Sequence, residues 1–322
     1  MSKKNIAAPA AIYPEGVYVA PKQSFWKYVV TNKWLYIMLL PAIIYVVIFN
    51  YIPMFGIVMA FQDFNMIKGF LGSQFVGFDN FRLLFQEPRF YEVFANSVVL
   101  SFYNLLFGFP MPIILALLLN EVKQDAFKKF VQTVSYLPYF ISWVVIAGML
   151  LNYLSQSNGL VNHLIVKLGG EKLPFLMSPK YFRGIIVIAS IWQGTGWGAI
   201  VYLAAIAGLD QQVYEAALID GANRFQRMRY ITVPGLMGTI ITMLILRMGS
   251  IMNNGFEQIF MLQNMNNLEV SEVFETYTYK QGLMLGNYGY STAVGLFKSI
   301  VSYILVLTTN FISRKVGEKG LW

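Results

Sequence analysis

Six long apolar segments follow one another along the chain, and polar stretches separate them. Several segments exceed the ~20 residues that a helix needs to cross the hydrocarbon core of a bilayer. Proline and glycine within them are compatible with membrane helices, because neighbouring helices can satisfy the freed backbone groups. The pattern predicts an all-α polytopic membrane protein with six transmembrane helices, at approximately residues 34–61, 93–119, 130–153, 184–207, 234–262 and 291–312.

The composition supports a membrane protein and excludes some chemistry. The 322 residues are 57% hydrophobic and 12% charged, whereas soluble domains carry about 25% charged residues. The chain has no cysteine, which excludes disulfides and thiolate metal sites. Its single histidine, His163, cannot form a His-rich metal site and is expected in a solvated loop. The sequence therefore predicts no metal site.

The distribution of Lys and Arg predicts the orientation in the membrane, because positive charge favours the cytoplasmic side. These residues are enriched in four segments: the N-terminus, the 120–129 loop, the 208–230 loop and the C-terminus. No cleavable signal peptide is evident at the N-terminus. We therefore predict a basic cytoplasmic segment of residues 1–33, a six-helix transmembrane domain of residues 34–313 with a cytoplasmic loop at about 208–232, and a cytoplasmic tail of residues 314–322.

The three loops on the opposite side, at about 62–92, 154–183 and 263–290, are long. Loops of this length in a compact protein are usually functional or disordered. Their aromatic content, for example in residues 75–91, argues against disorder. We expect an ordered lid on the extracytoplasmic face.

The cytoplasmic loop at 208–232 contains a short predicted helix. Asp210 is a suitable N-cap, and Gly221 can adopt the left-handed conformation that ends a helix. The residues between them favour a helix of about three turns with a small apolar face and a free Glu215 carboxylate. Such a helix is either a docking element for a partner or an ordinary amphipathic connector.

Two motifs in this loop carry a family resemblance: Glu-Ala-Ala-Leu-Ile-Asp-Gly-Ala at 215–222 and Ile-Thr-Val-Pro at 231–234. Together they resemble the EAA motif of ABC-transporter permeases, in which a cytoplasmic coupling helix contacts the ATPase subunit. Other segments resemble the oligosaccharide and polysaccharide branch of carbohydrate importers, which includes an alginate importer: residues 75–81, 96–97, 255–259, 292–299 and 317–322. The resemblance covers nearly the whole chain after about residue 30.

The chain departs from the family pattern at two positions. Many members have proline just before the coupling helix, where this chain has Asp210. Many have a second proline at the position of Gly238. Asp210 can still begin the helix. Without the second proline, the family pattern does not predict the geometry of the kink at the start of the fifth span.

The resemblance implies the type I ABC-importer permease fold and ATP-driven import of an oligosaccharide across the bacterial inner membrane. An acidic oligosaccharide such as alginate is one expected cargo. The chain has no Gly-rich loop ending in Gly-Lys-Ser/Thr, so a nucleotide site is not expected in it. We expect no enzyme activity and no cofactor in this chain, with ATP and Mg bound by the ATPase partner.

The same resemblance implies the partners and the docking residues. The partners are a second permease (a different chain), two ATPase subunits, an extracytoplasmic solute-binding protein, the oligosaccharide and membrane lipid, but no nucleic acid. The implied ATPase-docking residues are Tyr214, Glu215, Ala216, Ala217, Asp220, Gly221 and Ala222.

Polar residues within the predicted spans are candidates for a sugar path, because they are costly in lipid and usually face the bundle interior. Amides and carboxylates can bind hydroxyl groups, and aromatic rings can cover the apolar faces of a sugar. For each residue, hydrogen bonding between helices is the alternative. The candidates are Trp192, Gln193, Thr195, Trp197, Arg247, Asn253, Asn254, Glu257, Gln258 and Lys298.

The charged candidates allow two interpretations. Arg247 follows Pro234 by about 20 Å of helix and is expected near the middle of the membrane. Lys298 and Glu257 both fall toward the outer ends of their spans, which favours a structural ion pair between them. The alternative is a cavity suited to acidic sugars.

Two other function classes compete with an importer subunit. A secondary transporter driven by an ion gradient would explain the intramembrane charges but not the cytoplasmic helix. A membrane-embedded enzyme would need catalytic groups, and the sequence shows no paired carboxylates in a loop motif and no convincing Ser/His arrangement.

Overall fold

The computed structural model describes residues 25–315. Residues 1–24 of the predicted basic segment and 316–322 of the predicted tail lie outside the described residues. Within the described range, five helices are long and apolar enough to cross a membrane, and a bent pair of helices supplies a sixth span. Numbered in chain order, spans 1 to 6 are Lys33–Phe61, Pro88–Glu121, Asp125–Phe140 with Trp143–Tyr153, Pro179–Ala207, Arg224–Gly249 and Tyr288–Lys315.

Shorter elements connect the spans. A two-stranded antiparallel hairpin pairs Gln62–Asp63 with Gln74–Phe75. The short helices are Phe25–Thr31, Gly69–Gly72, Asp79–Gln86, Leu160–Lys167, Gln211–Ile219, Phe256–Phe260, Leu268–Ser271 and Phe274–Tyr279. A π-helical turn, Lys280–Met284, follows the last of them.

The chain divides into two compact units between Gly56 and Ile57. In the first unit, helix Lys33–Val46 has no buried side chain. Large apolar side chains such as Trp34 and Met38 are exposed in this chain alone. Such a surface is stable only against lipid or another subunit, as expected for a membrane span.

Three spans contain a π-helical turn that ends two residues before a proline. The turns are Val47–Tyr51 before Pro53, Asn104–Gly108 before Pro110 and Met228–Thr232 before Pro234. Proline lacks an N–H group, and its ring clashes with the carbonyl of the preceding turn. The wider turn accommodates the ring while the helix continues. The kink at the start of span 5 therefore takes this form.

The second unit is held together by close packing of spans 2, 3 and 4. Phe182 and Ile186 of span 4 belong to a buried apolar cluster that also contains Leu100 of span 2. A side chain at Gly196 would overlap the backbone of Ser135 in span 3. A side chain at Gly198 would overlap the ring of Pro112 in span 2. These glycines are needed for the close approach of the three spans.

The loops opposite the Gln211–Ile219 helix are ordered. The buried Glu272 accepts hydrogen bonds from Arg89 Nε and Lys280 Nζ, both at 2.7 Å. Asn96 of span 2 donates to the carbonyl oxygens of Glu269 and Glu272. The 263–290 loop is thereby attached to the beginning of span 2, in agreement with the expected ordered lid.

Three sequence expectations need correction. Span 5 ends at Gly249 and not near Leu262, because residues 250–255 form turns and only a short helix follows. Span 3 is bent by 97° at a break after Phe140. His163 is exposed as expected, but it lies in the helix Leu160–Lys167 and not in a loop.

Candidate docking helix and translocation cavity

The helix Gln211–Ile219 has well-defined ends. The Asp210 side chain accepts a hydrogen bond from the Gln212 N–H at 2.9 Å, which caps the first turn as predicted. At the other end, the Ala222 N–H donates to the Ala217 carbonyl at 2.9 Å. Gly221 has φ of 78°, the left-handed conformation typical of this C-terminal motif. We call Gln211–Ile219 the 211–219 helix.

One side chain connects the 211–219 helix to the start of span 5. The hydroxyl groups of Tyr214 and Thr232 lie 2.8 Å apart. Thr232 is buried within the π-helical turn that precedes Pro234. The hydroxyl group of Tyr214, one of the predicted docking residues, is therefore used inside this chain.

Much of the rest of the 211–219 helix is open. Glu215 and Ala216 are exposed, and within residues 25–315 Glu215 makes no ion pair. Leu218 and Ile219 are 54% and 86% exposed. This surface combines an unpaired carboxylate with an apolar edge, which is suitable for contact with another protein.

The predicted docking residues 220–222 form a turn rather than a surface of their own. The turn is fixed on its far side by reciprocal hydrogen bonds between Asn223 and Gln226, at 2.8 and 2.9 Å. Span 5 begins there with the helical turn Arg224–Arg227. The neighbouring side chains Phe225 and Tyr230 are exposed, and neither was predicted from the sequence. The capping pair Asn-x-x-Gln at 223–226 was the available signal.

A cavity of about 540 Å³ lies beside the 211–219 helix. Its lining includes Glu215 and Tyr214 together with four basic side chains, Lys123, Lys128, Arg224 and Arg227. The side of the 211–219 helix therefore carries a positively charged recess next to the exposed edge.

A second cavity, of about 400 Å³, lies between spans 2, 3, 4 and 5; we call it the translocation cavity. Six of the ten predicted path residues line it: Gln193, Thr195, Arg247, Asn253, Asn254 and Gln258. Asn104 of span 2 and Trp143 of span 3 also line it. Asn104 was missed although it is an amide side chain within a largely apolar span.

Several of these lining side chains also hold the helices together. Asn254 is buried and donates to the Ser97 carbonyl at 3.2 Å. Gln258 donates to the Asn254 carbonyl and accepts from the Ser190 hydroxyl. Gln193 donates to the Ile141 carbonyl at 2.9 Å. For these three amides, lining the cavity and bonding between segments occur together.

Arg247 differs from these amides. It lies in the last turn of span 5, two residues before the helix ends at Gly249. It is the one Lys or Arg among the lining residues, which include no Asp or Glu. Within residues 25–315 its guanidinium forms no ion pair. The cavity therefore carries one uncompensated positive charge.

The other four predicted path residues do not line this cavity. Trp197 stacks on Tyr139 with parallel rings 4.6 Å apart, and Trp192 is half exposed. The predicted ion pair of Lys298 with Glu257 is wrong, because Lys298 Nζ lies 2.9 Å from Glu275 Oε1. Glu257 is exposed in the short helix Phe256–Phe260.

A short exposed helix between spans 4 and 5 and a polar cavity among six helical spans are typical of a membrane permease. The family described as binding-protein-dependent transport system inner membrane component matches residues 108–318. Because the match covers more than half of the chain, the chain belongs to this family of ABC-importer permeases. Membership in this family favours an ATP-driven importer over a secondary transporter driven by an ion gradient.

Two relatives from Bacillus subtilis match over most of their length. Protein LplB is 46% identical over 291 residues, which cover 90% of this chain and 92% of that protein. The polygalacturonan/rhamnogalacturonan transport system permease protein YteP is 47% identical over 293 residues, which cover 91% of each chain.

Two solved structures show the same fold. A chain in the crystal structure of a bacterial alginate ABC transporter, in complex with an alginate pentasaccharide-bound periplasmic protein, is 41% identical with a TM-score of 0.85. The superposition covers 92% of this chain and 99% of that chain. A bacterial ABC transporter involved in the import of the acidic polysaccharide alginate gives 42% identity and a TM-score of 0.83, covering 90% and 98%. The predicted type I importer permease fold is thereby confirmed.

Proposed function

We infer that this chain is one of two permeases in an importer that moves an oligosaccharide into the cytoplasm. The second permease is a different chain, two ATPase subunits bind ATP and Mg, and an extracytoplasmic solute-binding protein delivers the sugar. The 211–219 helix contacts an ATPase subunit. Both termini lie in the cytoplasm of a bacterial cell with the domain limits predicted above.

The docking proposal rests on one observation: the 211–219 helix is fixed to this chain but leaves part of its surface exposed. Its ends are fixed by Asp210 and Gly221, and its inner side is attached through Tyr214. Its outer side leaves the Glu215 carboxylate and the Ile219 side chain exposed. A helix held this rigidly can transmit the movement of a partner to span 5, because Thr232 lies at the start of that span.

The cargo is proposed from the translocation cavity. Its amides can bind sugar hydroxyls, and its one guanidinium can bind a carboxylate. The relatives named for polygalacturonan and alginate transport support an acidic oligosaccharide. We therefore propose an oligosaccharide that contains uronic acids, with alginate as one candidate.

The docking proposal is tested by a charge reversal. Glu215→Lys places the wrong charge in the contact, where like charges cost several kcal/mol. We expect the variant to insert normally and to lose co-purification of the ATPase subunits from membranes of cells that produce the whole transporter. Glu171→Lys is the matched control, because Glu171 is exposed on the opposite side of the membrane protein. Normal ATPase recovery with Glu215→Lys would contradict the docking role.

A further inference from the structure

We propose that Lys298 and Glu275 form a positioning pair that orients the amide of Asn253, so that its N–H groups face the translocation cavity and select carboxylate-bearing sugars. Asn253 is then a specificity-determining residue beside Arg247. This inference rests on the proposed function and adds the residues that set the preference.

The hydrogen bonds fix which way the amide points. Lys298 Nζ lies 2.8 Å from Asn253 Oδ1 and 2.9 Å from Glu275 Oε1. An ammonium group has three N–H donors and no acceptor. It can therefore bind only the oxygen of the amide, and the NH₂ group of Asn253 must point elsewhere.

The NH₂ group of Asn253 is free to bind a ligand. Asn253 is an exposed residue that lines the translocation cavity, whereas Lys298 is not among the lining residues. Within residues 25–315, no side chain or backbone carbonyl accepts from the Asn253 amide. The lining amides of Gln193 and Gln258, in contrast, donate to backbone carbonyls. Asn253 thus offers donors to the cavity.

The positive charge of Lys298 is compensated by Glu275, and neither residue lines the translocation cavity. The ion pair with Glu275 is mostly buried, with side-chain exposures of 23% and 14%. Lys298 therefore orients a neutral amide and adds no net charge, while Arg247 supplies the charge. An amide N–H pair and a guanidinium that line the same cavity match the acceptor oxygens of a carboxylate.

The position of Asn253 in the chain explains why Lys298 is needed to orient its amide. The residue lies in the turn between Gly249 and Phe256, and its backbone N–H donates to the Ser250 carbonyl. A side chain on such a turn has no helical neighbours to restrict it. Without Lys298, the amide can rotate and present its oxygen, which repels a carboxylate.

The test compares uptake of an alginate trisaccharide with uptake of its carboxyl-reduced, neutral form. The whole transporter is reconstituted in proteoliposomes, and the ratio of the two apparent KM values is measured. Lys298→Met, made together with Glu275→Gln so that no unpaired carboxylate remains, should reduce the preference for the charged sugar about tenfold, the effect of one hydrogen bond to a charged group. Lys298→Arg should restore most of the preference, because it keeps a donor for Asn253. Lys167→Met, an exposed lysine on the helix Leu160–Lys167, is the matched control and should leave the ratio unchanged.

A second variant covers the case in which this double variant, Lys298→Met with Glu275→Gln, does not fold. Asn253→Asp keeps the shape and the contact with Lys298 but replaces the donors with a carboxylate oxygen. It should reduce the preference for the charged sugar at least as much. A preference that survives both variants, or an equal loss for both sugars in the double variant, would overturn the positioning role. If the wild type itself prefers the neutral sugar, the proposed acidic cargo fails, and with it this inference.

Discussion

The hydroxyl groups of Tyr214 and Thr232 lie 2.8 Å apart and join the 211–219 helix to the beginning of span 5. The two residues are 18 positions apart in the sequence, and the chain between them makes a tight turn at Gly221 and enters a π-helical turn. This hydrogen bond therefore links the surface helix directly to span 5, which lines the translocation cavity through Arg247.

Tyr214→Phe should loosen this connection without affecting the fold. One hydrogen bond contributes about 0.5–1.5 kcal/mol, so we expect sugar transported per ATP hydrolysed to fall about two- to tenfold. The measurement is paired uptake and phosphate release in proteoliposomes. Tyr230→Phe is the control, since Tyr230 is exposed nearby and makes no hydrogen bond to Thr232. Equal coupling in both variants would show that the hydroxyl contact transmits nothing.

Gly221→Ala should weaken the end of the 211–219 helix. Gly221 has φ of 78° with open space around it, so the cost is in the backbone, about 1–2 kcal/mol for an L-residue. We expect amide hydrogen exchange of residues 211–222 to accelerate about tenfold, as measured by mass spectrometry of the purified protein. Gly148→Ala should leave exchange unchanged, because Gly148 lies in a helix and a Cβ there meets nothing.

Gly196→Ala should destabilise the packing of spans 3 and 4. Its Cβ would overlap the Ser135 backbone, and forced overpacking costs about 1–3 kcal/mol. The expected result is a lower thermal unfolding temperature in detergent. Gly194→Ala, two residues earlier, meets no atom within 4 Å and provides the comparison. A similar Tm for the two variants would mean that the close approach of these spans is unimportant for stability.

Arg247→Gln should reduce transport of a charged sugar more than that of a neutral sugar of equal length. Loss of a hydrogen bond to a charged group costs about 1.5–3 kcal/mol, roughly a 10- to 150-fold effect. Competition between the two labelled sugars measures the difference directly. Arg82→Gln is the control, because Arg82 forms an exposed pair with Asp79 away from the cavity. An equal loss for both sugars would make Arg247 a structural residue.

The sequence was sufficient for the features that depend on local patterns. Long apolar runs located spans 1, 2, 4 and 6 within a few residues, because length and apolarity decide membrane insertion. The ends of the 211–219 helix were predicted from Asp210 and Gly221. The Asp210 side chain caps the first turn and the Gly221 backbone ends the last one, so both effects are local.

Features that depend on distant contacts could not be predicted in this way. The end of span 5 was misplaced because the apolar residues of the helix Phe256–Phe260 extend the apolar run past the turn at 250–255. The partner of Lys298 was also wrong, since several carboxylates lie in the same region of sequence and only the fold selects Glu275. The cavity itself joins four spans, which no spacing along the chain reveals.

The absence of Asp and Glu from the lining of the translocation cavity has an electrical consequence. The lining has no carboxylate that could hold a cation beside the cargo, so a uronic-acid oligomer would bring its own negative charges across the membrane. Inward movement of a negative charge opposes the resting potential by about 2.3 kcal/mol per charge at 100 mV. Arg247 stays with the protein and cannot cancel this cost, so each added uronate residue makes import harder. The length of an acidic cargo would then be limited by the energy of ATP hydrolysis and the voltage across the membrane.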